Sequence, residues 1–209
     1  MHFRFVAAAA ASLLLVSGCT TVRTTSPTRS AQEELLISTA ADRAADALAQ
    51  QIPPNITAYL DWSGFAAQDQ QYGIATITDA LMRHGVRIVA DRKDANAVIL
   101  PRTGVLSTDE RSTIIGVPPL PVPTPLGAAP ITTPQLSLYS QQVEKGIAKF
   151  AATVYDPRTG QLITSTNPAY GFSRASDGVV LFVFTWHHTD IGVDMTEDPP
   201  KIMPTPKPR

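Results

Sequence analysis

The spacing of apolar residues changes period several times along the chain, and each change marks an element. Leu36, Ala40, Ala44, Ala47 and Leu48 recur at three- and four-residue steps and so share one helical face, while Asp42, Arg43, Asp46 and Gln50 fall mostly elsewhere. Ahead of them, Ser30-Ala31-Gln32-Glu33 has the spacing of a capping box, in which two side chains satisfy two orphan donors at a helix start. Pro53-Pro54 must lie beyond the helix end. Ile74, Ile77, Leu81 and Met82 place a second helix over Gln71–His84, and Gly85 is positioned to end it in the left-handed conformation.

Strand periodicity alternates with these helices. Ile56–Leu60 is a short β-rich run, Val86–Val89 alternates, Asp91–Asp94 is a charged turn, and Ala97–Leu106 reads as a strand. Pro101 requires an edge or a bulge there, because proline has no donor for a ladder. Leu136–Gln142, Gly146–Tyr155 and Gln161–Thr166 complete a sheet. In the middle one Ala148, Phe150, Ala152 and Val154 are expected to face the core, and Ile147, Lys149, Ala151, Thr153 and Tyr155 the other side. Asp156-Pro157-Arg158-Thr159-Gly160 is a hairpin turn, with proline presetting one angle and glycine supplying a positive one. Val179–Phe184 is an uninterrupted apolar run of strand length. The expected fold class is α+β: a single mixed or antiparallel sheet with two helices packed on one face, plus a proline-rich extended insertion. The domain is expected to span residues 30–192, with a disordered, proline-rich tail at 193–209.

One segment departs from every period. From Ser112 through Val143 there is no charged residue, and seven prolines fall between Pro118 and Pro134. That density disfavours helix and central strand and predicts extended, polyproline-like chain over 112–136. Because the segment is apolar, it is expected to lie against the sheet from Ile114 to Ile131, beside Val179–Phe184, and to leave an apolar ridge. Ile114, Ile115, Val117, Leu120, Val122 and Leu126 are its candidate partner surface.

The first residues change the cellular picture. Arg4, an apolar run from Phe5 to Val16 and then small residues form a secretory-signal pattern, and a run of about a dozen is too short for the ~20 residues of a spanning helix. Leu15-Val16-Ser17-Gly18-Cys19 resembles the bacterial lipobox, which implies diacylglycerol on the Cys19 thiol and cleavage before it. Residues 1–18 are then the signal peptide and 19–29 a lipidated cysteine with a flexible tether. Thr20, rather than aspartate, after that cysteine implies the periplasmic face of the outer membrane; the cell membrane is the alternative. Cys19 is the single cysteine, so no internal disulfide can form. Losing Arg4 with the signal moves the net charge from −1 to −2, and this near-neutral balance leaves no electrostatic footprint for nucleic acid.

Candidate chemistry is sparse. His187-His188 with Asp190, Asp194, Glu197 and Asp198 is the one cluster of potential metal ligands, but adjacent histidines on a strand point to opposite faces. Neither an HExxH nor a G-x-S-x-G setting is present, so the reading assigns no catalytic residue, no metal and no cofactor. Trp62, Trp186, Tyr59, Tyr170 and Phe172 are candidates for a binding platform or for core. Two classes of function compete. One is a non-catalytic envelope lipoprotein that meets the membrane through its acyl chains and binds an envelope protein or itself. The other is a periplasmic hydrolase or metal-dependent enzyme acting on the envelope.

The run from Asp79 through Gly85 to Val89, followed by Asp94-Ala95-Asn96-Ala97-Val98-Ile99, resembles a pattern in envelope lipoproteins, as does the hairpin Ala152–Ile163. Those proteins are the curli-secretion channel subunit, lipoprotein activators of penicillin-binding proteins, and the amino-terminal domain of the Tol-system protein B. Glu33–Ala44 and Tyr170-Gly171-Phe172-Ser173 are similar to a family of uncharacterised proteobacterial lipoproteins, a resemblance that covers nearly the whole mature chain and implies no activity.

Overall fold

Two helices arise where the 3.6-residue period placed them. In the computed structural model, which describes residues 29–117, 121–122, 131–132, 136–181, 183–194 and 201–202, α1 spans Ala31–Ala49 and α2 spans Gln70–Arg83. α1 starts one residue after Ser30, and Gly85 follows α2 with φ +94. The chain from Ala31 onward forms one compact unit. Its strands are β1 (Thr57–Leu60), β2 (Arg87–Ile88), β3 (Ala97–Val117), β4 (Pro121–Val122), β5 (Ile131–Thr132), β6 (Leu136–Tyr155), β7 (Leu162–Ser165), β8 (Ala169–Val180), β9 (Phe184–Thr189), β10 (Val193–Asp194) and β11 (Lys201–Ile202).

The fold is α+β, with one mixed sheet in the order β2-β1-β3-β6-β8-β9 and β7 paired to β6. β1 runs parallel to β2 and β3, and the remaining neighbours are antiparallel. The last residue pair of β1 on β3 is Leu60 with Ile99, after which the Ile99 carbonyl accepts the Asp61 N–H. Two residues further on, Pro101 turns its donorless nitrogen to that same side, beyond the end of β1, and the register shifts between Thr103 and Val105. Both the edge and the bulge that proline demands are therefore present. The Asp156–Gly160 turn closes as expected: Gly160 has φ +71 and donates to the Asp156 carbonyl at 2.8 Å, while Asp156 Oδ1 accepts the Arg158 N–H at 2.7 Å.

Both helices cover one face of the sheet. Ala148, Phe150, Ala152 and Val154 are fully buried there, as their alternation predicts. Five of the eight buried residues of α1 are alanine, and the strands beneath it carry Gly146 and Gly171. A Cβ at Gly146 would overlap the Leu36 carbonyl oxygen, and one at Gly171 the Ala40 carbonyl oxygen, so helix backbone rests directly on strand backbone. Ser173 Oγ donates to the Leu36 carbonyl at 2.6 Å across this contact. α2 lies against α1 and reaches the sheet through Gly73, which abuts Phe65 and Leu106. Phe65 meets Phe150 at 5.6 Å between ring centroids; burying a phenylalanine such as Phe150 contributes on the order of 2–3 kcal/mol.

Three expectations require correction. β3 and β6 are each continuous, paired from Val98–Tyr155 to Val117–Leu136, so residues 112–117 are central strand rather than polyproline-like chain, and the expected strands Leu136–Gln142 and Gly146–Tyr155 are parts of one. These flanks contain no proline, and ladder pairing on a neighbouring strand satisfies their backbone. Val143–Lys145, between those expected strands, pairs with Asp109–Arg111 and interrupts nothing. Second, Val179–Phe184 is not one strand: β8 ends at Val180, Leu181 adopts φ +50, and β9 begins at Phe184, so the apolar run turns a hairpin. Third, Ile114–Val117 belongs to the sheet instead of lying against it. Most of the proline-rich segment, with Leu120 and Leu126, lies outside the described residues; of it, Pro121–Val122 pairs with Ile131–Thr132. Residues 1–28, including Cys19 and most of the tether, also lie outside them. In the tail, Val193–Asp194 pairs with Lys201–Ile202.

Candidate interaction surface

Alternation along β8 puts Ala169, Gly171, Ser173 and Ala175 under α1 and sends Tyr170, Phe172 and Arg174 to the opposite, uncovered face. Register aligns Val105, Lys149 and Tyr170 across three strands, with Ser107, Ile147 and Phe172 in the next row on that face. The Tyr170 and Phe172 rings are parallel, at 6.1 Å between centroids and 1° between planes, yet they remain 50% and 56% exposed. Lys149 Nζ stands 5.6 Å from the Tyr170 centroid, an exposed cation–π contact of the kind worth ~0.5–1 kcal/mol. Beyond this patch comes a charged belt of Asp109, Arg111, Lys145 and Arg174.

Past the belt the sheet changes character. Ile115 on β3, Tyr139 on β6, Val180 on β8 and Phe184 on β9 form one row near the hairpin ends. Trp186 lies across Gly178, where any Cβ would overlap its indole, and its ring centroid is 5.9 Å from that of Tyr139. The opposite face here includes Gln142, Asp177 and His187, with His187 Nδ1 2.5 Å from Asp177 Oδ1 in a shallow concavity that Ser140 and Thr185 also line. His188 pairs with Ser176 and points the other way, so the two histidines diverge as strand neighbours must. The Asp177 carboxylate is about half exposed, so water screens it and the site lacks the dry setting that activates a nucleophile. Among the described residues no group of three histidine, cysteine, aspartate or glutamate side chains is placed to hold a metal.

Polar residues on the helix side have structural partners. Arg43 reaches the sheet edge, where Nη1 bonds the Phe172 carbonyl and Asp190 Oδ2 (2.8 Å to the latter), and Nη2 bonds the Asp190 carbonyl at 2.8 Å. Asp190 Oδ1 in turn accepts the Arg174 N–H at 2.6 Å, so one guanidinium ties α1 to β8 and to the residue after β9. Between the helices, Asp42 accepts from Tyr72 Oη at 3.0 Å and Thr76 Oγ1 at 2.6 Å, and Asp46 pairs with Arg83 at 2.8 Å. Burial first, and Asp42 second, push the Tyr72 phenol up to about 12.

Four of the six candidate partner residues lie among the described residues. Ile114 and Ile115 are exposed on opposite faces of β3; Val117 ends that strand and Val122 lies in β4. The five aromatics do not form one platform: Trp62 packs edge-on against Phe65, whereas Tyr170 with Phe172, and Trp186 with Tyr139, occupy the uncovered face. Sequence reasoning passed over β8 as a strand, together with its outward Tyr170–Phe172 pair. The alternation of small and large residues from Ala169 to Arg174 was the available signal.

These features define a class: an α+β protein whose sheet carries helices on one face and an exposed aromatic and charged surface on the other. More particularly, the chain belongs to a family of unknown function, DUF6655, whose model matches residues 13–204. No curated protein matches the sequence.

Proposed function

We propose that this protein is a membrane-anchored lipoprotein of the bacterial envelope, held by acyl chains on Cys19 at the periplasmic face of the outer membrane, and that it works as a non-catalytic binding or assembly factor. The observation that carries the binding role is the uncovered Tyr170–Phe172 stack, flanked by Val105, Ile147 and Lys149. Two rigid aromatic rings held parallel on a strand lose little side-chain entropy on docking, and a nearby charged belt gives a protein partner its orientation. A photo-crosslinking residue at position 172 is expected to give a discrete protein adduct in whole cells. The same residue at exposed Gln50, on the helix side, is expected to give none. Equal adducts from both positions, or none from 172, would sink the binding role. Cys19→Ala is expected to abolish processing and acylation; mature protein of unchanged mass in the membrane fraction would refute the anchor. Sedimentation only with inner-membrane markers would refute the outer-membrane address.

A second reading, a periplasmic hydrolase, draws on the His187–Asp177 pair near Ser140. It requires that a fluorophosphonate label Ser140 and that His187→Ala remove the label. Absence of labelling in folded protein rejects it.

A further inference from the structure

The strands at the distal end of the sheet lose their charges within three successive rows: Glu144 is the last on β6, Arg111 on β3 and Asp177 on β8. The row Ser112–Gln142–Asp177–His187 still carries an acid and a histidine; the next, Thr113–Gln141–Gly178–Trp186, carries neither, and no charge follows on any of the four. The sequence repeats this limit, since 112–143 and 178–186 are both free of Asp, Glu, Lys and Arg. Two stretches from separate parts of the chain end within a few rows of one another because the register aligns them. At that boundary stand Tyr139 and Trp186, residue types that favour the interface between water and hydrocarbon.

From this geometry we infer that the distal end of the sheet inserts shallowly into the surface of a lipid bilayer. A protein partner docks on one face of a sheet, whereas here exposed apolar side chains project to both sides and from the tip, with only the uncharged Ser140 and Thr185 between them on the helix side: Ile114 and Ile115 point to opposite sides and are 38% and 59% exposed. The turn itself offers Leu181, Val183 and Phe184, with Val183 75% exposed. An isotropic apolar medium matches a surface without sidedness. Depth follows from the shorter hairpin, in which about three residues per strand at ~3.3 Å each reach ~10 Å. That is far short of the ~30 Å hydrocarbon core, and matches the ~5–10 Å depth of interfacial elements. The contact inserts and does not span, and it needs no acyl chain on Cys19.

The test uses the full chain with Trp62→Phe, which leaves Trp186 as the sole tryptophan. The probe is a vesicle of phosphatidylethanolamine and phosphatidylglycerol containing lipid brominated on its acyl chains. Trp186 emission is expected to shift to the blue and fall at least about two-fold, as loss of indole exposure to water and contact with bromine require. Val183→Asp with Phe184→Asp is expected to abolish the quenching at unchanged circular dichroism, and Val183→Lys alone to weaken it. Quenching of Trp186 by aqueous iodide but not by bromolipid overturns the inference, as does quenching that survives both sets of substitutions. Burial of Trp186 that rises with protein concentration without vesicles also overturns it, in favour of a second copy of the chain. Quenching of the unacylated Cys19→Ala chain supports this inference whatever becomes of the anchor; an acylated chain that binds the vesicles without quenching overturns this inference and leaves the anchor standing.

Discussion

The proximal and distal halves of the β3–β6 hairpin share one ladder but differ in what lies on them. The proximal half carries α1 so closely that Gly146 and Gly171 touch helix backbone. The distal half carries no helix among the described residues; Arg111–Gly116 is exposed on β3, and Tyr139, Ser140 and Gln141 on β6 are half-buried. Backbone pairing alone therefore suffices to continue a strand, while burial decides where a substitution matters. The proximal half contributes stability, and the distal half has surface available for contacts.

The sharpest break of that contrast is Gly171→Ala. Its Cβ would overlap the Ala40 carbonyl oxygen and lie 2.6 Å from the Ala44 nitrogen, so α1 must lift away. A loss of about 3 kcal/mol or more is expected in urea melts, against a change within ~0.5 kcal/mol for Val183→Ala at the tip. Next comes Ser173→Ala, which removes a second donor from the Leu36 carbonyl, already bonded within α1, and is expected to lower stability by ~0.5–1.5 kcal/mol. If it is neutral, the close seat of α1 does not depend on that bond.

Tyr72 sharpens the comparison on the helix side. Its folded pKa, about 12, lies above the ordinary 10, so its stabilising contribution is fully present below pH 10 and is lost as pH rises towards 12. Tyr72→Phe is expected to flatten this alkaline limb, and thermal melts across that window check it. The smallest effect belongs to Glu144, at the junction of the two halves. Burial first, and then Glu110, raise its pKa, so protonation relieves a cost and stability falls as pH rises past its titration. Glu144→Gln is expected to raise neutral-pH stability by less than about 1 kcal/mol, because the group is largely solvated. A decrease would mean that its bonds from Gln32 and Gln142 outweigh the charge.

Much of the proximal half was legible from local pattern. The helix stripes, Gly85, the Asp156–Gly160 turn and the inward Ala148–Val154 set all follow from period and turn chemistry. β8 was not legible, because its pattern is inverted: small residues face the core and large ones face water. Hydrophobic alternation assumes that the covered face is the apolar, bulky one. Where helix backbone lies against strand backbone, no room remains for bulk, and the aromatics take the other side. The tip at Leu181 was hidden for a different reason, since positive φ usually falls to glycine or asparagine and here falls to leucine within an apolar run.

The sequence by itself determined the helices, the principal turn, the inward face of β6 and the two charge-free stretches. These depend on neighbours a few residues apart, where period and turn propensity act. Only the tertiary structure decided that α1 seats on Gly146 and Gly171, that Arg43 reaches Asp190, and that the charge-free stretches end within a few rows of one another. Each of these joins residues far apart in the chain, and pairing register and close packing, which no local period encodes, bring them together.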